Sequence, residues 1–220
     1  MVERTHETAV VDGHRLHYIT AGDPGSPPVV LLHGGIIDAA HVSWGAVIDP
    51  LARDFRVIAL DLLGYGRSDK PDLDYALSTH VDVVASFLDT LGLESPALGG
   101  ISMGGGTALG VALQSPTAVD RLVLLDSYGL GNTLANGRLT YLLSKQGLTN
   151  KLAIWLMRRS RGFTKASLGN IVADTDSLSA DAVDAVWEET KRPGVGKAFR
   201  RFRASEVTRD GYRTARPSAP

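Results

Sequence analysis

The stretch that decides the fold is Ala97-Leu98-Gly99-Gly100-Ile101-Ser102-Met103-Gly104, an apolar run that turns through a G-x-S-x-G motif at residues 100–104. Residues 103–114 then carry a helical pattern, so the serine stands where a buried strand becomes a helix. The glycines around it have a physical reason. A serine on a tight, strained turn has its hydroxyl lifted clear of the sheet, and side chains at the neighbouring positions would collide with the incoming strand and outgoing helix. The partly positive helix N-terminus then points at the reacting centre. A glycine-rich turn with an incidental serine would share the motif without this strand-before, helix-after setting.

Working outward, comparable apolar runs occupy residues 28–32, 56–60 and 122–125. Continuous rather than alternating hydrophobicity marks strands buried on both faces of a parallel sheet. Helical patterns at 43–53, 78–93 and 103–114 separate these runs. In the second, Val81, Val84, Phe87, Leu88 and Leu91 fall mostly three or four residues apart and make one apolar face. Strand alternating with helix implies right-handed crossovers and an α/β architecture with a mostly parallel sheet. Residues 9–11 and 14–20 flank Asp12-Gly13, a two-residue hairpin signal, so an antiparallel pair is expected at the start. After Asp126 the rhythm changes to helices and loops, with helices expected at 150–161, 179–189 and 196–203. The expected organisation is a core over residues 1–129, a helical cap over 130–205 and a disordered tail over 206–220.

Composition narrows the partners. The chain has 220 residues, 23 Lys+Arg against 24 Asp+Glu, 44% apolar residues and no cysteine. That suits one soluble domain, or one domain with a sizeable insertion. Near-neutral charge removes the main argument for nucleic acid or an anionic membrane as partner. The absence of cysteine excludes a disulfide framework, a thiolate metal site and a cysteine nucleophile. The uncharged run 95–119 is long enough to span a bilayer, but its six glycines read as a turn. The N-terminus is charged from Glu3 onward and lacks the apolar stretch of a signal peptide, so a cytoplasmic location is expected. No histidine–carboxylate cluster reads as a metal site, and no motif calls for a cofactor.

His33-Gly34-Gly35 also follows a strand. Its functional reading is half of an oxyanion hole, with the Gly35 and Met103 amides holding the charge of a tetrahedral intermediate. On these residues the chain resembles the α/β-hydrolase superfamily, in the serine-nucleophile branch with a helical cap. Three motifs carry the resemblance in order: Leu32-His33-Gly34-Gly35, the loop Asp61-Leu62-Leu63-Gly64-Tyr65-Gly66-Arg67-Ser68-Asp69-Lys70-Pro71, and Gly100-Ile101-Ser102-Met103-Gly104. The likeness covers residues 10–128 closely and 130–205 only in general character. It implies a hydrolase acting on an ester, lactone or carbon–carbon bond of a small apolar substrate through an acyl-enzyme on Ser102, or cofactor-free perhydrolysis. Relatives that cleave epoxides or carbon–halogen bonds carry aspartate at the serine position. His33, Gly34 and Trp155 are expected to contact the substrate.

A serine hydroxyl needs a base, and the base an orienting carboxylate. In this superfamily the order is serine, then acid, then histidine. The six histidines are His6, His14, His17, His33, His41 and His80, and none follows Ser102. His6, His41 and His80 read as surface or helix-end residues. Asp126, at the end of its strand, is the candidate acid, though an aspartate there is also a common structural residue. Two further βα units of roughly 30 residues each would supply acid and base, so the C-terminal strands of the fold are expected to be missing. That expectation leaves an impaired serine hydrolase or, alternatively, a non-catalytic small-molecule-binding descendant. It also leaves the strand at 122–125 with an unpaired edge, which invites self-association.

Overall fold

The computed structural model describes residues 2–131, 147–169, 171–208 and 211–212. The chain opens with a hairpin, β1 (Arg4–Val11) and β2 (His14–Ala21), turned by Asp12 and Gly13 at positive φ. Then come β3 (Pro28–Leu32), α1 (Ala40–Trp44), α2 (Ile48–Leu51), β4 (Arg56–Leu60) and α3 (Leu77–Thr90). The central crossover follows as β5 (Ala97–Ile101), α4 (Met103–Gln114) and β6 (Arg121–Leu125). The strands form one sheet in the order β1-β2-β4-β3-β5-β6, antiparallel over the first three and parallel thereafter. This is the mostly parallel α/β sheet with an N-terminal antiparallel hairpin that the apolar runs imply.

The runs are continuous because both faces are covered. On β4, Ile58 and Leu60 enter the core under α3 and α4, while Val57 and Ala59 enter a second core with Ala40, Trp44 and Ile48 of α1 and α2. Leu31 and its neighbours Val30 and Leu32 divide between the same two cores. Burying a Leu- or Ile-sized side chain is worth about 1.5–3 kcal/mol, so a sheet filled from both sides gains on alternate residues of every central strand. The single helix expected over residues 43–53 is instead two short ones. Pro50 offers no amide to continue the ladder, and a Cβ at Gly45 would lie 2.4 Å from the His41 carbonyl oxygen.

β6 differs from its neighbours. Among the described residues it pairs only with β5, and its residues alternate, leaving Val123 54% and Leu125 43% exposed.

The second half is helical: α5 (Gly147–Arg159), α6 (Arg161–Leu168), α7 (Ala180–Thr190) and α8 (Lys197–Glu206). Ser160 separates the first two by taking an extended conformation and accepting the Phe163 amide in an N-cap. Met157, Leu168, Val183 and Val186 form a core of their own with Ile37 from the loop after β3. α8 belongs to both layers, because Ala198 and Phe202 pack into the main core. Within 206–220, Val207–Thr208 (β7) pairs with Gly211–Tyr212 (β8); residues 209–210 and 213–220 lie outside the described residues, as does the stretch 132–146 of the expected cap. No helix among the described residues is long and apolar enough to cross a membrane.

Candidate active site

Ser102 occupies the turn between β5 and α4 with φ 51° and ψ −118°, a left-handed backbone rarely taken by a residue with a side chain. Three backbone hydrogen bonds hold it there. Its amide donates to Leu125 O at 2.9 Å, and its carbonyl accepts from Gly106 N at 3.0 Å and Tyr128 N at 2.9 Å. The flanking glycines are sterically required. A Cβ on Gly104 would lie 2.3 Å from Leu32 O and 2.4 Å from His33 O, and one on Gly100 would lie 2.4 Å from Gly104 O. The serine side chain caps nothing and is exposed at the α4 N-terminus.

The loop after β3 is built around His33. Its Nε2 accepts the Leu62 amide at 3.0 Å, so the proton is on Nδ1, which donates to Gly34 O at 2.7 Å. Fully buried, with both nitrogens engaged, His33 shapes the loop and offers no atom to a ligand, which corrects its expected contact with substrate. Asp38, which the motifs did not flag, does the rest. Its carboxylate accepts from Gly34 N at 2.8 Å, Ala39 N at 2.8 Å and Ser43 Oγ at 2.7 Å. The Gly34 amide is thereby spent, whereas no hydrogen bond reaches the Gly35 or Met103 amide among the described residues. A Cβ on Gly34 would stand 3.6 Å from Ser102 Cβ, so the loop passes directly over the serine. Two free amides beside an exposed hydroxyl can hold a developing oxyanion.

α8 closes the other side of this loop. A Cβ on Gly35 would lie 2.7 Å from the Phe199 ring, so only glycine admits the aromatic at this distance. Beyond Phe199 opens a cavity of about 280 Å³, bounded by Ile36, Ile37, Met157, Leu168 and Phe199, with Arg203 in its wall. Ile36 pays for its place there with φ 65°, an outlier for a β-branched residue. Trp155, expected at the substrate, is 48% exposed under the Arg159 guanidinium, 4.0 Å from the ring; the cavity wall is made by its neighbours Ile154 and Met157.

No base stands beside Ser102 among the described residues. Asp126 takes φ 43° at the end of β6 and is exposed, with no hydrogen bond to its side chain and no histidine against it among the described residues. His41 faces the Glu189 carboxylate at 3.8 Å. His17 is joined to the buried Asp61 at 2.7 Å and to His6 at 2.9 Å. Burial opposes ionisation of Asp61, but the His17 ring and the Arg67 and Ala40 amides outweigh it and hold the carboxyl at about 2. His80 is a correction: it is not at the surface but 1% exposed among Tyr65, Tyr75 and Phe202, with neither ring nitrogen partnered among the described residues. Burial lowers its pKa to about 3, so it is neutral.

A family model described as the alpha/beta hydrolase fold matches residues 27–212, most of the chain. The chain is a member of the α/β-hydrolase fold family. Among curated α/β-hydrolase relatives it is 32% identical over 174 residues to a 2-hydroxymuconate semialdehyde hydrolase of Pseudomonas sp., covering 78% of this chain and 57% of that one. It is 38% identical over 124 residues to a soluble epoxide hydrolase of Corynebacterium sp., covering 56% and 42%. Among solved structures, a 2-hydroxy-6-oxo-6-phenylhexa-2,4-dienoate hydrolase from Rhodococcus sp. superposes with a TM-score of 0.75 at 25% identity, covering 93% of this chain and 72% of that one. The chain thus spans about half the length of these two curated relatives.

Proposed function

We propose that this α/β-hydrolase site is that of a serine hydrolase, with Ser102 as nucleophile and the Gly35 and Met103 amides as oxyanion donors. Its substrate is a small, largely apolar molecule cleaved at an ester, lactone or carbon–carbon bond through an acyl-enzyme. One observation carries the reading: an exposed serine held at positive φ at the head of α4, with two uncommitted amides next to it. The relatives named as a 2-hydroxymuconate semialdehyde hydrolase and a 2-hydroxy-6-oxo-6-phenylhexa-2,4-dienoate hydrolase support it. The epoxide hydrolase relative does not change the chemistry proposed, because an aspartate nucleophile is what the resemblance ascribes to that activity and this chain has serine.

We further propose that the 220-residue polypeptide turns over poorly by itself. None of its histidines follows Ser102 and none reaches it among the described residues. Loss of the base from a serine triad costs on the order of 10⁶ in turnover, leaving roughly 10³–10⁴ over water from oxyanion and binding effects. Hydrolysis of p-nitrophenyl butyrate by the purified chain is expected to equal that of Ser102→Ala, and added imidazole, acting as an external base, is expected to open a difference between them. A large Ser102-dependent rate without imidazole contradicts the impairment.

That no base stands beside Ser102 among the described residues, together with an apolar cavity, also supports the alternative of a binding protein. That reading predicts ligand affinity unaffected by Ser102→Ala and no imidazole effect.

A further inference from the structure

From the cavity beside the oxyanion loop we infer that the substrate carries an anionic group, a carboxylate in the simplest case, and that Arg203 is the residue that selects for it. This deepens the hydrolase reading, from which it takes only that the cavity holds the substrate. The cavity is otherwise apolar: Ile36 and Ile37 on the loop side, Met157 and Leu168 on the helical side, and Phe199 between them and Gly35. Its polar members are Arg203 and Ser167, and the Ser167 hydroxyl already donates to Phe163 O at 2.8 Å.

Arg203, the one cation in the cavity wall among the described residues, differs from Arg158, Arg161, Arg192 and Arg201 of this helical layer. Arg161 pairs with Asp184, Arg192 with Glu189 and Arg201 with Asp72, and Arg158 donates to the Thr190 and Arg192 carbonyls. The Arg203 guanidinium has neither a carboxylate nor a carbonyl among the described residues. It lies over the Phe199 ring, 5.9 Å from the centroid, one helical turn from its own Cα. A guanidinium half-withdrawn from water against an aromatic face, with its hydrogen-bond donors unspent, is poised for a planar anion. The low-dielectric wall strengthens that pairing relative to water, and a neutral ligand of the same shape leaves it unmade. The chemistry therefore points to an amphiphilic acid: an apolar body along the isoleucines and Met157, with its carboxylate at Arg203. The neighbouring depression between α6 and α7 makes no such offer, because its cations Arg161 and Lys165 are neutralised by Asp184 and Asp176.

The test is equilibrium binding by calorimetry, with 4-phenylbutyrate and its neutral analogue 4-phenylbutyramide as probes. The wild-type chain is expected to bind the acid roughly tenfold more tightly than the amide, the worth of one charge-assisted pair. Arg203→Gln should erase the preference while leaving the amide unchanged, and Arg203→Glu should reverse it. Because Arg203 is partly exposed, both variants are expected to keep the wild-type melting profile, so the amide serves as an internal control for folding. Equal binding of acid and amide by the wild type, a preference that survives in Arg203→Gln, or binding of neither probe overturns the inference. Imidazole-assisted acylation of Ser102 without carboxylate preference overturns the inference and leaves the hydrolase reading standing. A carboxylate preference without acylation supports Arg203 and overturns the hydrolase reading.

Discussion

Ser102 carries the cost of its position in its own backbone. At φ 51° and ψ −118° a side chain is strained by about 1–3 kcal/mol, and glycine is not. Ser102→Gly should therefore raise stability by about 1 kcal/mol over Ser102→Ala in urea unfolding, while both variants lose imidazole-assisted turnover. Equal stabilities would mean that the turn is not strained. The converse holds at Gly104, where a methyl meets two backbone oxygens that cannot both retreat. Gly104→Ala should cost about 2–4 kcal/mol by the same measurement. These residues were legible in the sequence because the turn they make is local and its steric demand shows as glycine. Asp38, Phe199 and Arg203 were not. Each acts through a neighbour brought close only by folding, and an aspartate four residues after Gly34, or a phenylalanine in a basic helix, has no distinctive spacing. His33 misled for the related reason that a motif places a residue near a site without saying which way its nitrogens face.

The strands were readable because burial on both faces writes an uninterrupted apolar run, as in 28–32 and 56–60. Helices are less so: the 43–53 pattern spans two pieces because the helical period continues across Gly45 and Pro50 while the hydrogen-bond ladder does not. β6 reads as a buried strand in sequence, yet three of its five residues are exposed. Here the expectation of self-association becomes a proposal with a structural basis. An edge that shows Val123 and Leu125 beside backbone groups left unpaired among the described residues is a template for a second copy. Light scattering should find dimers or larger species for the wild type, and Val123→Lys with Leu125→Lys should shift the population to monomer. A wild type that is monomeric at every concentration tested contradicts it.

Across the whole molecule, the core beneath the site contains a titratable group that is seen only in three dimensions. His80, at an ordinary value of 6.5 when unfolded, is held near 3 by burial. Between those values the unfolded chain binds the extra proton, so the stability is fully present above about 6.5 and is lost as pH falls. His80 should account for about 2 kcal/mol of destabilisation between pH 7 and 5. His80→Phe should flatten that limb while leaving the loss below pH 4 that belongs to Asp61, whose carboxyl is held at about 2. An unchanged slope would place the titration elsewhere. The sheet, the glycine-lined turn and the loop over it converge on one hydroxyl, and the account depends on that hydroxyl being the nucleophile. Intact-mass and peptide analysis after incubation with p-nitrophenyl butyrate and imidazole tests this most directly. The account predicts a single butyryl group on Ser102, absent from Ser102→Ala. No adduct, or one that persists in Ser102→Ala, would contradict it.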